Sequence, residues 1–115
     1  MLPVFPRLNF FLYREPTDMR RGFDGLSGLV SSYLHQDALS GDVFVFINRR
    51  RDRIKLLLWD GDGFWLFYKR LEKGTFQLPT DSHQQISIQL SYDELLMILQ
   101  GIDLASIKRR PRYQR

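Results

Sequence analysis

Between Val43 and Arg70 the chain reads VFVFINRRRDRIKLLLWDGDGFWLFYKR, and this stretch leaves little choice of architecture. Three apolar runs rich in Val, Ile, Phe, Leu, Trp and Tyr are separated by two short polar segments, NRRRDR and GDG, the pattern of three strands joined by tight turns. Successive side chains of a strand point to opposite faces. Val43, Val45 and Ile47 therefore share one face of the first strand and Phe44 and Phe46 the other. In the second, Ile54, Leu56 and Leu58 oppose Leu57 and Trp59; in the third, Phe64, Leu66 and Tyr68 oppose Trp65 and Phe67. Both faces are apolar. A sheet wetted on one side alternates apolar with polar, so this one requires cover on both, from two helices, the terminal arms or a partner chain.

The flanking segments offer the helices. Leu8 to Tyr13 is a strand, preceded by an arm with Pro3 and Pro6 and stopped by Arg14, Glu15 and Pro16. Met19, Phe23, Leu26, Val30 and Tyr33 then recur at helical spacing, with Leu29 and Leu34 widening the stripe, which predicts a helix over 18–34 capped by Thr17 or Asp18. Gly22, Gly25 and Gly28 inside it each cost about 1 kcal/mol relative to alanine and suggest close packing against a neighbour. After Lys69, RLEKGTFQLP gives a turn at Gly74 and a short strand ended by Pro79, and residues 80–85 a polar loop. Ile86, Ile88 and Leu90 alternate with polar residues, as an edge strand does. Ser91 opens a capping box with Glu94 for a short helix ending at Gly101. The expected fold is α+β: a small antiparallel sheet of five to six strands, one helix near the N-terminus and one short helix near the C-terminus. Residues 1–107 form one domain and residues 108–115 a basic tail without order of its own.

A chain of 115 residues with 43% hydrophobic content is large enough to bury a core unaided. Without cysteine, disulfides, zinc–thiolate sites and thiol catalysis are all excluded. The N-terminus lacks a signal-peptide pattern and no window resembles a membrane span, so a cytoplasmic location with no membrane partner is expected. The charge is unevenly placed. Arg49, Arg50, Arg51, Arg53 and Lys55 face one acid, Asp52, while Lys108, Arg109, Arg110, Arg112 and Arg115 face none, so the rest of a chain of net charge +4 is acidic. Two basic segments on an acidic body suit a polyanion touching a few defined places; ordinary solvated charge is the plainer reading. Arg20 and Arg21, in the first turn of the expected helix, either mark an anion site or are neutralised by Asp18 and Asp24.

No catalytic constellation stands out. The chain has no P-loop and no HExxH, and its two histidines, His35 and His83, lie in polar loops. DGDG at residues 60–63 departs from a calcium loop, because Trp65 and Leu71 occupy the required glycine and glutamate positions. Asp18, Asp24, Asp60, Asp62 and Glu72 have no spacing that favours a two-metal nuclease; caps and turns explain them. No catalytic residue, metal or cofactor is assigned.

Two blocks, YREPTDMRRGFDGL from Tyr13 to Leu26 and GDVFVFINRRRDRIKLLLWDGDGFWLFYKRLEKGTF from Gly41 to Phe76, resemble the TnpB accessory proteins encoded by the second open reading frame of insertion sequence 66 elements. TDMR, FDGL, NRR, a tryptophan-rich element ending in DG, and YKRLEKG occur in that order, and the closing GID with a basic tail is also similar. LLLWDGDGF is a mild departure in the tryptophan-rich element. Nothing resembles the much longer RNA-guided nucleases that share the TnpB name.

The resemblance implies a helper of transposition beside a larger transposase, in which the catalytic carboxylates are expected, and it implies no known chemistry for the helper; a non-enzymatic factor that binds DNA is the reading adopted. The expected DNA-binding residues are Arg20, Arg21, Arg49, Arg50, Arg51, Arg53, Lys55, Lys108, Arg109, Arg110 and Arg112. The alternative is a protein-interaction module, assembling through the aromatic sheet on the transposase or as a homodimer without direct DNA contact.

Overall fold

The computed structural model describes residues 8–79 and 85–101. Its elements, in chain order, are β1 (Phe10–Tyr13), α1 (Phe23–Ser32), β2 (Val43–Ile47), β3 (Arg53–Trp59), β4 (Phe64–Arg70), β5 (Ser87–Leu90) and α2 (Tyr92–Gln100). The five strands form one sheet in the order β4-β3-β2-β1-β5. This is the expected α+β architecture, with β5 at an edge as its alternation indicated. One pairing differs from a wholly antiparallel sheet: β1 runs parallel to β2, Phe10 beside Val43 and Leu12 beside Val45. Its cause is the connection, since a chain that leaves β1 through a helix returns to the same end of the sheet. The segment before Pro79 carries no strand.

Cover on both faces is met within the chain. Leu12, Val43, Val45, Ile54, Leu56 and Leu58 pack on one face with Leu95 and Ile98 of α2 and with Phe76. Phe44, Phe46 and Leu57 pack on the other with Leu26, Leu29 and Val30 of α1. All five β2 side chains are buried, whereas β4, at the opposite edge from β5, is largely half-buried or exposed.

Helix α1 begins five residues later than its apolar stripe suggests, and Gly22, rather than Thr17 or Asp18, is the N-cap. Tertiary contacts hold the preceding segment out of the helix. The Thr17 amide donates to the Ile47 carbonyl (2.9 Å), and Lys55 Nζ donates to the carbonyls of Met19 (2.7 Å) and Arg21 (2.8 Å). A helix begun at Asp18 would need the Met19 and Arg21 carbonyls for its own ladder. Close packing of the glycines is also not found at two of the three. A Cβ at Gly22 or Gly28 would meet nothing within 4 Å, and one at Gly25 would meet the Arg21 side chain first, at 3.1 Å. The capping box of α2 is present: Glu94 N–H donates to Ser91 Oγ (3.0 Å), Ser91 N–H to Glu94 Oε1 (2.9 Å), and Gly101 closes the helix at φ 79°.

Candidate functional site

Asn48 organises the basic turn between β2 and β3. Its Oδ1 accepts from the amides of Asp52 and Arg53, both at 3.0 Å, its Nδ2 donates to the Asp52 carboxylate (2.6 Å), and its carbonyl accepts from Arg51 N–H (3.0 Å). Asparagine suits this role because its amide side chain mimics a backbone turn. Arg51 takes the left-handed conformation, φ 59°. From outside, Leu71 N–H donates to the Asp52 carbonyl and Phe76 N–H to that of Arg51, both at 2.7 Å. The loop is thereby fixed from several sides, while Arg49, Arg50 and Arg51 are all exposed.

The sequence named two separate basic elements here, and the fold brings them together. A shallow cleft of about 350 Å³ is lined by Asp18, Met19 and Arg20 from the segment before α1 and by Asn48, Arg50, Asp52 and Arg53 from the turn. The Thr17–Ile47 bond sets this approach by tying the segment to the end of β2. Arg20 is 92% exposed at its side chain and paired with Asp18 (2.7 Å). The Asp18 carboxyl consequently falls to about 2, through hydrogen bonds from the Arg20 guanidinium and backbone. Arg21 is exposed beside Arg20, and both precede the Gly22 N-cap rather than lying in the first turn of α1.

Lys55 departs from the expected set by geometry. It is 6% exposed, its ammonium is held by the two carbonyls described above, and it lies 4.6 Å from the ring centroid of Tyr68. Its role is to join β3 to the segment before α1. Two residues outside the sequence-based set stand at the site instead. Tyr68 is half exposed and its hydroxyl accepts from Arg53 Nη1 (3.1 Å); Arg70 lies opposite Arg53 across the β3–β4 ladder and pairs with Glu72 (2.7 Å). Counting from the DGDG turn locates both, since pairing Trp59 with Phe64 puts Lys55 beside Tyr68 and Arg53 beside Arg70. Lys108, Arg109, Arg110 and Arg112 lie outside the described residues, as does His83.

The carboxylates do not assemble. Asp18 is engaged by Arg20 and Glu72 by Arg70, Asp24 lies in the first turn of α1, and Asp60 and Asp62 sit at the far end of β3. Asp60 accepts from the Trp65 indole, which lowers its carboxyl, while the hydrogen bond shared with Asp60 raises that of Asp62. Among the described residues no group of three or more His, Cys, Asp or Glu side chains could hold a metal ion. No helix there is long and apolar enough to cross a membrane.

The family model described as IS66 Orf2-like protein matches residues 8–109, nearly the whole chain. The chain belongs to this family. IS66 Orf2-like proteins are associated with transposition as accessory proteins, in agreement with the TDMR, NRR and YKRLEKG elements. Similar relatives are the uncharacterized proteins y4jC and y4hO of Sinorhizobium fredii (strain NBRC 101917 / NGR234). Both are 38% identical to it, over 90% of this chain and 87% and 88% of their own lengths. No solved structure matches.

Proposed function

We propose that this IS66 Orf2-like protein is a non-enzymatic accessory factor of transposition that holds DNA by its backbone and works beside a separate transposase. The observation that carries this reading is the convergence of Arg20 with Arg50 and Arg53 on one cleft, beside the exposed Arg49 and Arg51 of a turn fixed by hydrogen bonds. Guanidiniums match phosphate oxygens in planar, two-point geometry, and a fixed loop loses little freedom on meeting them. Arg21 extends the surface, and Lys108, Arg109, Arg110 and Arg112 add charge to the same chain. Lys55 has no part in it.

Titrating duplex DNA with the protein over a series of salt concentrations tests this. Affinity should fall linearly on a log–log plot, with about 0.9 of slope for each phosphate neutralised. Replacing Arg49, Arg50 and Arg51 with glutamine should weaken binding and flatten the slope. Absence of salt-sensitive binding at micromolar protein would reject the reading.

A second reading is favoured by the other face of β4. Trp65 and Phe67 stack there with ring planes 8° apart, and Trp65 is 45% exposed on an edge strand. Exposed aromatics of this kind anchor protein interfaces. If the transposase docks on this strip, Trp65→Ala will abolish its capture in a pull-down while leaving DNA affinity intact.

A further inference from the structure

We propose that Tyr68 is a stacking platform for an unpaired base, so that the basic surface takes single-stranded DNA in preference to duplex; this rests on the DNA-binding reading above. Tyr68 lies on edge strand β4 and is 50% exposed. Its ladder partner is Lys55, whose ammonium sits 4.6 Å from the ring centroid and is anchored by the carbonyls of Met19 and Arg21. One face of the ring thus rests on a fixed, buried cation, and the exposed half of the side chain is turned to solvent. The phenol oxygen accepts from Arg53 Nη1 (3.1 Å), which orients the plane. Arg53 also lines the cleft that holds Arg20 and Arg50, and Arg70 stands opposite it on β4.

An aromatic plane set among guanidiniums is the chemistry that binds single strands: cations follow the phosphates while a base stacks on the ring. A duplex keeps its bases stacked inside and offers this surface only phosphates. Trp65, also on β4, lacks that setting. Its ring stacks on Phe67 and its indole donates to Asp60, a carboxylate that repels phosphate.

The test compares a labelled single strand of about 20 nucleotides with the duplex of the same sequence, by fluorescence anisotropy at low salt. The wild type should bind the single strand more tightly. Tyr68→Leu, which keeps apolar cover over Lys55 but removes the π face, should lower single-strand affinity by about 5- to 150-fold and leave duplex affinity within about 2-fold. Tyr68→Phe keeps the ring and should retain single-strand binding. An equal effect of Tyr68→Leu on both forms, or no effect on either, would overturn the inference. Wild-type preference for duplex would overturn it while leaving the proposed function in place. Failure of the wild type to bind either form would overturn both.

Discussion

Asp18 is the acid most closely tied to the basic cleft, and its pairing with Arg20 has consequences in both directions. The carboxylate is stabilised by the guanidinium, so its folded pKa lies near 2, below the ordinary 3.8. A depressed carboxyl contributes stability above its unfolded value, and that contribution is lost as pH falls from about 4 through about 2. Arg20→Gln should return the Asp18 carboxyl toward 3.8, readable by carbon-detected NMR titration of the side chain. Conversely, Asp18 competes with phosphate for Arg20. Asp18→Asn should therefore tighten duplex binding by about two- to five-fold at low salt, an effect sized by the small worth of exposed ion pairs. Weaker binding by Asp18→Asn would mean that the acid presents Arg20 rather than restraining it.

Helix α1 shows what a pattern of apolar residues can and cannot specify. Its stripe was visible because Leu26, Leu29 and Val30 face the sheet, yet Gly28 on the outer side has open space where a Cβ would go. Gly28→Ala should raise stability by about 1 kcal/mol in urea unfolding, through helix propensity alone. A loss of stability would reveal a contact at this position that the helix needs. The strands were legible for a similar reason: the unbroken apolar runs VFVFI and LLLW record burial on two faces directly. The start of α1 was not, because it depends on Lys55 reaching the carbonyls of Met19 and Arg21 from 34 or more residues away. Lys55 itself looked like one more member of a basic run. It shares a face of β3 with Arg53, so only the register that sets it opposite Tyr68, and Arg53 opposite Arg70, distinguishes the two, and burial of a lysine is not written in its neighbours' charge. Likewise the parallel β1–β2 pairing follows from chain path, which periodicity does not encode. Arg20 and the NRRRDR turn were each legible as basic elements, but their shared cleft depends on the Thr17–Ile47 bond.

For the molecule as a whole, the question is whether its cations act as a net charge or as a built surface. A net charge of +4 attracts DNA weakly and without geometry, whereas arginines fixed around one cleft attract it at a defined place. Deleting residues 108–115 separates the two, because that segment holds five cations and no acid and its loss takes the formal net charge from +4 to −1. If the cleft is the principal contact, the shortened chain will still bind duplex DNA in spite of its reversed net charge. Its salt slope should fall by no more than about 4.5, the contribution of five phosphates. The remaining binding should then disappear when Arg49, Arg50 and Arg51 are changed to glutamine in the same background. Complete loss of binding on deletion alone would place the contact in the tail and leave the cleft arginines as solvated charge. The comparison has to be made at one ionic strength near 0.05 M as well as across the series, since the Debye length of roughly 14 Å there lets distant charge contribute and at 0.15 M largely removes it.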